Sequence, residues 1–267
     1  MVSVLSIACM MIALVISFAL PVGLCIWFRI REKADLMPFF VGCAVMILFA
    51  FVLEQLVHRV VLNSSAGETI RNTPWIYALY GGCMAAVFEE SGRFLAFKTV
   101  LRKLRGNNAN ALMYGAGHGG IEAIVVLGIT SINNLFYSFL INTGNTQMLT
   151  APLSGNQAAL EQVNTAIRQL TTVPSWQFLL GGAERIFAVI LQIALSVLVW
   201  FAAKEKGKGY LFLVAVCMHV AGDALTVYLA QTGVSVIVIE LIVGIAALSL
   251  AAGAGKLLHA DSGMQVR

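Results

Sequence analysis

Long runs of apolar residues dominate the chain, and short polar stretches separate them. A helix needs about 20 apolar residues to cross the ~30 Å hydrocarbon core of a bilayer, and seven runs are that long. They lie at about residues 4–28, 37–58, 75–98, 111–141, 175–202, 209–230 and 233–255. The pattern predicts an all-α, polytopic integral membrane protein in which residues 1–267 form a single transmembrane domain.

The one long polar stretch, residues 142–174, is rich in Thr, Asn, Gln and Ser. Apolar residues recur in it at helical spacing, at Leu160, Val163, Ile167 and Leu170. This spacing predicts a short amphipathic helix that lies on the outer surface of the membrane that the chain spans. We interpret the stretch as a surface lid, with a binding site as the alternative.

Composition narrows the class of protein further. Of the 267 residues, 59% are hydrophobic and 11% are charged, whereas a soluble domain carries about 25% charged residues. This excludes a soluble globular enzyme, a disordered chain and a nucleic-acid-binding domain. The five cysteines stand singly in apolar runs, which favours packed core residues over disulfides. A GxGxxG run at residues 115–120 has no preceding strand, so a dinucleotide partner is not expected.

Basic residues are divided unequally between the two sides of the predicted membrane domain. Twelve of the 17 lie in loops and the tail on one side, and three, Arg59, Arg71 and Arg168, lie on the other. Because loops rich in Lys and Arg stay in the cytoplasm, the N-terminus is predicted outside and the C-terminus inside. The remaining two, Arg93 and Arg185, fall within membrane segments.

Apart from Glu54 and Glu240, which lie near segment ends or alone, nine ionisable residues lie deep inside the predicted membrane segments. On insertion scales each costs about 2.5–3.5 kcal/mol at the bilayer centre unless it is paired or faces water. Unpaired, the nine would cost roughly 20–30 kcal/mol, which is more than a marginally stable fold can absorb. We therefore expect them to converge on one another, on a metal ion or on a water-filled cavity. They are Glu89, Glu90, Arg93, His118, Glu122, Glu184, Arg185, His219 and Asp223.

Three predicted helices each carry two of these groups four residues apart. The pairs are Glu89 with Arg93, His118 with Glu122, and His219 with Asp223. A separation of four puts both members of a pair on one helix face. At 1.5 Å rise per residue, the first members of the pairs lie at a similar depth in the cytoplasmic half of the bilayer. Nearby glycines would let the helices approach closely, so the sequence predicts one polar site within the membrane.

Two histidines, several carboxylates and an arginine at one depth suit hydrolysis inside the membrane. A metal such as Zn²⁺ binds His nitrogen and carboxylate oxygen, and a catalytic zinc site keeps one position for water. A glutamate beside that water can act as general base while a hydrogen-bond donor stabilises the oxyanion. For Arg93 a buried ion pair is the favoured interpretation, and spacing puts Glu89 rather than Glu90 on its helix face.

Other polar residues have plainer interpretations. Glu184 and Arg185 are adjacent and point about 100° apart on a helix, so we expect each to find a partner on another helix rather than to pair directly. Glu54 is assigned to an interfacial or packing position and His58 to a loop.

Three motifs resemble those of the CAAX-protease and bacteriocin-processing membrane proteases, which are EExxxR, FxxxH and HxxxN or HxxxD. Here they read Glu89-Glu90-Ser-Gly-Arg93, Tyr114-Gly-Ala-Gly-His118 and His219-Val-Ala-Gly-Asp223. One residue fewer separates the glutamates from the arginine, and Tyr114 stands where the second motif has Phe. The run Gly117–Ala123 and the Glu184-Arg185 pair resemble the YhfC family of intramembrane metalloproteases more closely. The resemblance covers the third to the sixth segment.

The resemblance implies that Glu89 or Glu90, with His118, activates the attacking water or binds metal. It also implies that His219 and Asp223 complete the site as metal ligands or as oxyanion stabilisers. The predicted metal ligands, with zinc as the expected metal, are His118, Glu122, His219 and Asp223. Glu184 and Arg185 are expected to support the site.

The expected function is therefore intramembrane peptide hydrolysis. The substrate would be a membrane-embedded or membrane-adjacent peptide or protein, cleaved in the cytoplasmic half of a bacterial plasma membrane by glutamate- or metal-activated water. A proton- or cation-coupled transporter that uses the same carboxylates and histidines is the alternative. An inactive member of the family that serves as a membrane scaffold is a third possibility.

Overall fold

The computed structural model describes the backbone of residues 1–265 and the side chains of residues 1–260. Within residues 1–265 all regular structure is helical, which confirms the predicted all-α class. The helices are α1 Val4–Ile30, α2 Met37–Leu62, α3 Ser65–Asn72, α4 Pro74–Lys98, α5 Ala109–Asn142, α6 Gln147–Thr150, α7 Gln157–Thr172, α8 Gln177–Lys204, α9 Tyr210–Gln231 and α10 Val236–Gln265. Short 3₁₀ turns at Arg102–Leu104 and Ala151–Leu153 lie between α4 and α5 and between α6 and α7.

Six helices in the described part of the chain are long and apolar enough to cross a membrane. They are α1, α2, α5, α8, α9 and, within α10, Val236–Ala260. The protein is therefore a polytopic helical membrane protein. The helix at the predicted third span, α4, has 25 residues but carries Glu89, Glu90 and Arg93. Its place as a seventh span and the orientation of the chain stay predictions.

Local sequence explains where several helices begin and end. Pro38 and Pro74 stand in the first turns of α2 and α4, where a missing N–H leaves no hydrogen bond unmade. Asn156 caps α7, which covers the predicted amphipathic stretch, because its Oδ1 accepts a hydrogen bond from the N–H of Ala159 at 3.1 Å. After α9, Gly233 has a φ of +78°, a left-handed conformation that favours glycine.

Two of the long helices contain a π-helical stretch, Ile47–Glu54 in α2 and Ile124–Gly128 in α5. Such stretches interrupt the regular α-helical ladder and occur frequently at functional positions. The stretch in α2 ends at Glu54, whose side chain is buried.

The chain divides into two compact units. Unit 1 consists of Met1–Leu20 and Ala123–Arg185, and unit 2 consists of Pro21–Glu122 and the chain from Ile186 onward. Unit 1 has a small apolar core in which Val2, Met10 and Leu170 are buried. Unit 2 has a larger apolar core.

Aromatic residues lie at the centre of the core of unit 2. The ring of Phe97 on α4 meets Tyr114 of α5 at 4.6 Å and Trp200 of α8 at 5.0 Å, in both cases edge to face. Such pairs contribute about 0.5–1.5 kcal/mol beyond the area they bury. Arg93 and His118 lie one helical turn from Phe97 and Tyr114, so these contacts position the polar residues beside them.

Glycines allow helices of unit 2 to pack with their backbones in direct contact. A Cβ added to Gly117 of α5 would overlap the backbone oxygen of Phe39 in α2. A Cβ added to Gly82 of α4 would lie 2.8 Å from the backbone oxygen of Val220 in α9. These contacts agree with the prediction that small residues near the polar positions permit close helix packing.

Candidate active site

Eight polar side chains of unit 2 meet in one cluster, which we call the carboxylate–histidine cluster. They are Glu89, Glu90 and Arg93 of α4, His118 and Glu122 of α5, Gln192 of α8, and His219 and Asp223 of α9. Seven of the eight are residues that the sequence singled out. The helices that carry the predicted polar faces therefore bring those faces together, and α8 adds a residue that was not predicted.

Glu89 lies against both histidines of the cluster. Its Oε2 is 2.9 Å from Nε2 of His118 and 4.0 Å from Nε2 of His219. Glu89 is 5% exposed and His118 is 0% exposed. A carboxylate in hydrogen-bond contact with an imidazole has the geometry that general acid–base chemistry needs.

Glu90 has a different set of partners. Nη1 of Arg93 donates to both of its carboxylate oxygens at 3.0 Å, and Nδ1 of His219 lies 2.8 Å from its Oε1. All three side chains are buried. Buried charges are tolerated only when they are paired and hydrogen-bonded, so Glu90 serves as the counter-ion of Arg93.

The ion pair on α4 is not the one that the spacing predicts. A separation of four places Glu89, rather than Glu90, on the same helix face as Arg93. The structure pairs Arg93 with Glu90 instead. Residues three apart also lie on one side of a helix, and the guanidinium is at the end of a long side chain that reaches either glutamate. The carboxylate of Glu89 is directed to His118 on α5.

Gln192 joins the two halves of the cluster. Its Oε1 accepts a hydrogen bond from Nη2 of Arg93, and its Nε2 donates to Oε2 of Glu89 at 2.9 Å and to Oε2 of Glu122 at 3.1 Å. Sequence reasoning missed this residue because an uncharged amide in an apolar run matches no motif. One feature of the sequence could have revealed it: Gln192 is the one side-chain amide of α8 between Arg185 and the C-terminal end of the helix.

His219 and Asp223 occupy one face of α9, as their spacing predicts. Nε2 of His219 lies 3.4 Å from Oδ2 of Asp223. The side chain of Asp223 is 38% exposed, whereas that of His219 is 3% exposed. Asp223 therefore lies at an edge of the cluster that the rest of the described structure does not cover.

The Glu184–Arg185 pair belongs to unit 1 and corrects another expectation. Nε of Arg185 donates to Oε2 of Glu184 at 3.0 Å, and Nη2 donates to Oε1. Adjacent residues leave the helix in different directions, but both side chains are long enough to turn toward each other. The expectation that the two do not pair directly is wrong, and their supporting role stays a prediction.

A second polar group of unit 2 lies outside the cluster. Nε2 of His58 is 3.0 Å from Oε1 of Glu54, and its Nδ1 is 2.9 Å from the hydroxyl of Tyr80. The assignment of His58 to a loop is wrong, because α2 extends past it to Leu62. The spacing of four between Glu54 and His58 is the sequence signal that finds this group.

The donor types in the cluster suit a metal ion such as zinc, because imidazole nitrogen and carboxylate oxygen are its common ligands. Their arrangement does not suit it: among the described side chains, no three His, Cys, Asp or Glu residues surround a position that could hold a metal. Oε2 of Glu89 instead lies within 4.0 Å of Nε2 of both His118 and His219. The predicted ligand set, which also includes Glu122 and Asp223, stays a prediction.

The helices and the carboxylate–histidine cluster define a polytopic membrane protein with a buried polar site, and comparison with known proteins identifies its family. The model of the family described as YhfC intramembrane metalloprotease matches residues 16–243, which include the four helices that form the cluster. The chain therefore belongs to the YhfC family, in agreement with the resemblance of its motifs. The family description names a metalloprotease and so implies a metal ion.

Among individual proteins, the chain is similar to the uncharacterized membrane protein YhfC of Bacillus subtilis (strain 168). The two are 38% identical over 240 residues, which cover 88% of this chain and 90% of that protein. No solved structure matches the chain.

Proposed function

We propose that the protein is an intramembrane peptidase that hydrolyses a membrane-embedded or membrane-adjacent peptide at the carboxylate–histidine cluster. The observation that carries the proposal is the buried contact of 2.9 Å between Oε2 of Glu89 and Nε2 of His118. Membership of a family described as intramembrane metalloproteases supports it. Ionisable residues are costly inside a membrane and mark functional sites there.

In the proposed reaction Glu89 is the general base. Glu89 takes a proton from a water molecule while the water oxygen bonds to the carbonyl carbon of the peptide. The proton then passes to the amide nitrogen as the C–N bond breaks, which yields one carboxyl and one amine product. His118 orients the base through its hydrogen bond to the same carboxylate. General acid–base catalysis of this kind contributes about 10²–10⁴-fold to the rate.

His219 is the proposed donor to the oxygen that becomes negatively charged. Its Nδ1 is engaged by Glu90 at 2.8 Å, whereas its Nε2 has longer contacts, 3.4 Å to Asp223 and 4.0 Å to Glu89. Nε2 is therefore the nitrogen that can turn to a substrate oxygen, and it donates there when His219 is an imidazolium with hydrogen on both ring nitrogens, a form that the carboxylates of Glu90 and Asp223 beside the ring favour. A donor fixed in advance at such an oxygen is commonly the largest catalytic contribution.

The proposed site lies in the cytoplasmic half of the bilayer, because the basic loops predict that side as cytoplasmic. A bacterial plasma membrane is the proposed location, in keeping with the similar membrane protein of Bacillus subtilis. The family description implies a metal ion, and zinc is the proposed metal because the donor types of the cluster suit it, although their arrangement in the structure does not. Metal analysis of the purified protein, for wild type and for a His219→Ala variant, tests whether zinc is bound and whether the cluster holds it.

Peptide cleavage in proteoliposomes tests the proposal. A library of membrane-anchored peptides is incubated with wild-type protein, Glu89→Gln and His118→Ala, and products are identified by mass spectrometry. Glu161→Gln is the matched control, since Glu161 is an exposed carboxylate of α7. We expect products from wild type and the control and none from the other two. Unchanged cleavage in both cluster variants would refute the proposal.

One observation favours the second candidate, a proton- or cation-coupled transporter. Glu54, His58 and Tyr80 form a hydrogen-bonded carboxylate–imidazole–phenol chain in unit 2. Chains of this kind carry protons in pumps and transporters. Substrate-dependent pH changes inside proteoliposomes, without peptide products, would select the transporter.

A further inference from the structure

Two loops of unit 2 are held together by hydrogen bonds from asparagine side chains. They are the loop between α1 and α2, residues 31–36, and the loop between α4 and α5, residues 99–108. Nδ2 of Asn107 donates to the backbone oxygen of Lys33 at 3.0 Å. In the first turn of α5, Nδ2 of Asn110 donates to Oδ2 of Asp35 at 2.9 Å. The two loops therefore form one layer.

The C-terminal end of α8 is attached to the same layer. Oδ1 of Asn108 accepts hydrogen bonds from Nε1 of Trp200 at 3.2 Å and from Nζ of Lys204 at 2.9 Å. Nη1 of Arg105 donates to the backbone oxygen of Ala203. Because the loop between α8 and α9 begins directly after Lys204, its first residues lie beside the other two loops.

This layer is strongly basic. Residues 29–36, 98–108 and 204–209 contain ten basic and three acidic residues. Two of the three acids have partners within the layer, since Asp35 accepts from Asn110 and Oε2 of Glu205 lies 2.7 Å from Nζ of Lys208. An excess of like charge on one surface repels itself and attracts anions.

Six exposed basic residues of the layer form no ion pair with a carboxylate among the described side chains. We call them the basic surface. They are Arg31, Lys33, Lys98, Arg102, Lys103 and Lys206. A seventh exposed residue, Arg29, donates to the backbone oxygen of Ala34 at 2.9 Å and is not counted among them. The protein thus leaves these six charges for a ligand from outside the chain.

Aromatic rings indicate the depth at which the basic surface lies. Trp27 near the end of α1 is 56% exposed, and Tyr210 at the start of α9 is 59% exposed. Exposed Trp and Tyr at the ends of spanning helices lie at the level of the lipid headgroups. The guanidinium of Arg31 is 5.7 Å from the ring centre of Trp27, and Nζ of Lys98 is 5.4 Å from that of Phe94. These cations extend from apolar rings toward the headgroups.

The fitting ligand is therefore an anion at headgroup depth. Lys and Arg donate strong, charge-assisted hydrogen bonds to phosphate oxygens. A soluble acidic partner must reach these charges from the water, whereas lipid phosphates are already at their depth. We propose that the basic surface binds the headgroups of anionic phospholipids. The inference is independent of the proposed peptidase function, because it involves no residue of the carboxylate–histidine cluster.

Lipid titration of the purified protein in nonionic detergent tests the proposal. Phosphatidylglycerol is the probe, native mass spectrometry counts the bound lipids, and thermal denaturation measures their effect. Phosphatidylcholine with the same acyl chains controls for apolar contact, and glycerol 3-phosphate controls for a free phosphate ester. We expect an excess of phosphatidylglycerol to raise the Tm by about 5 °C, and the two control compounds to leave it unchanged.

A triple variant tests whether the basic surface is the site. Its substitutions are Arg31→Gln, Arg102→Gln and Lys103→Gln, at exposed side chains that make no hydrogen bond within the described structure. Each basic residue near an anionic surface strengthens binding about fivefold. The variant should therefore need about 100-fold more phosphatidylglycerol for the same rise in Tm. A matched variant, which keeps the wild-type affinity, removes three exposed arginines elsewhere: Arg59→Gln, Arg71→Gln and Arg168→Gln.

Four outcomes would overturn the proposal. The first two are wild-type affinity for phosphatidylglycerol in the triple variant and equal binding of phosphatidylcholine by the wild type. An equal rise in Tm with glycerol 3-phosphate would assign the surface to a soluble phosphate compound, and one with an oligoglutamate peptide would assign it to an acidic protein. None of these measurements needs a peptide substrate, so a failure of the peptidase proposal leaves the lipid result intact.

Discussion

Oε2 of Glu89 lies 2.9 Å from Nε2 of His118, and this contact joins α4 to α5 inside unit 2. The same oxygen accepts a hydrogen bond from Nε2 of Gln192 at 2.9 Å. Glu90, the neighbouring glutamate, is occupied by Arg93. Two adjacent carboxylates thus have two different sets of partners, which favours Glu89 as the base and Glu90 as a structural counter-ion.

Separate amide substitutions of the two glutamates test this division. Glu89→Gln removes the proton acceptor at constant size, so we expect cleavage to fall about 10²–10⁴-fold with little change in Tm. Glu90→Gln leaves Arg93 without its counter-ion, so we expect a loss of about 3–5 kcal/mol in the free energy of unfolding. Cleavage rates and thermal denaturation in detergent measure both. Equal effects of the two substitutions on Tm would contradict the assignment.

Replacing Arg93 by lysine tests whether the geometry of the guanidinium matters beyond its charge. Lysine cannot contact both oxygens of Glu90 and also Gln192 from one planar group. We expect Arg93→Lys to lower the Tm and the cleavage rate. Arg168→Lys is the control, because the pair of Arg168 with Glu161 is exposed and such pairs contribute about 0–1 kcal/mol. A similar Tm for the two variants would argue against a structural role for the planar fork.

Gln192→Leu tests the amide that links the halves of the cluster. The substitution removes three hydrogen bonds, takes away the acceptor of the buried Nη2 of Arg93 and leaves Oε2 of Glu89 with its contact to His118. We expect a loss of about 2 kcal/mol or more in the free energy of unfolding, together with slower cleavage. Gln231→Leu, at the exposed end of α9, should change stability by less than about 0.5 kcal/mol. The idea fails if Gln192→Leu behaves like this control.

Alanine substitution of two glycines tests the close packing of the helices. At Gly117 a Cβ would overlap the backbone oxygen of Phe39, whereas at Gly81 it would meet nothing within 4 Å. We expect Gly117→Ala to cost about 1–3 kcal/mol by overpacking and Gly81→Ala to be neutral or stabilising. Thermal denaturation of both variants in detergent gives the comparison. Equal Tm values would show that moving α2 and α5 apart does not lower the free energy of unfolding.

Much of the fold and of the candidate site follows from the sequence for simple reasons. Bilayer thickness sets the length of an apolar run, so the runs predict the long helices. A spacing of four marks a helix face, so the pairs of His118 with Glu122 and of His219 with Asp223 indicate which faces meet. These regularities depend only on helix geometry and on the cost of burying charge.

The remaining features depend on side-chain conformation, which spacing does not determine. Arg93 reaches Glu90 because its side chain is long, and Arg185 turns back to Glu184 for the same reason. Gln192 carries no charge, so the cost argument that reveals buried ions does not find it. Its role follows only from the three partners that the fold brings within reach.

The central claim is hydrolysis by water activated at Glu89 and His118, and oxygen-18 incorporation tests it most directly. Wild-type protein in proteoliposomes is incubated with membrane-anchored peptides in H₂¹⁸O, and the products are weighed by mass spectrometry. We predict that each new C-terminal carboxyl gains one ¹⁸O in wild type and in Glu161→Gln, and that Glu89→Gln and His118→Ala yield no labelled product. Labelled product formed at wild-type rates by both cluster variants, or no product from wild type, would contradict the account.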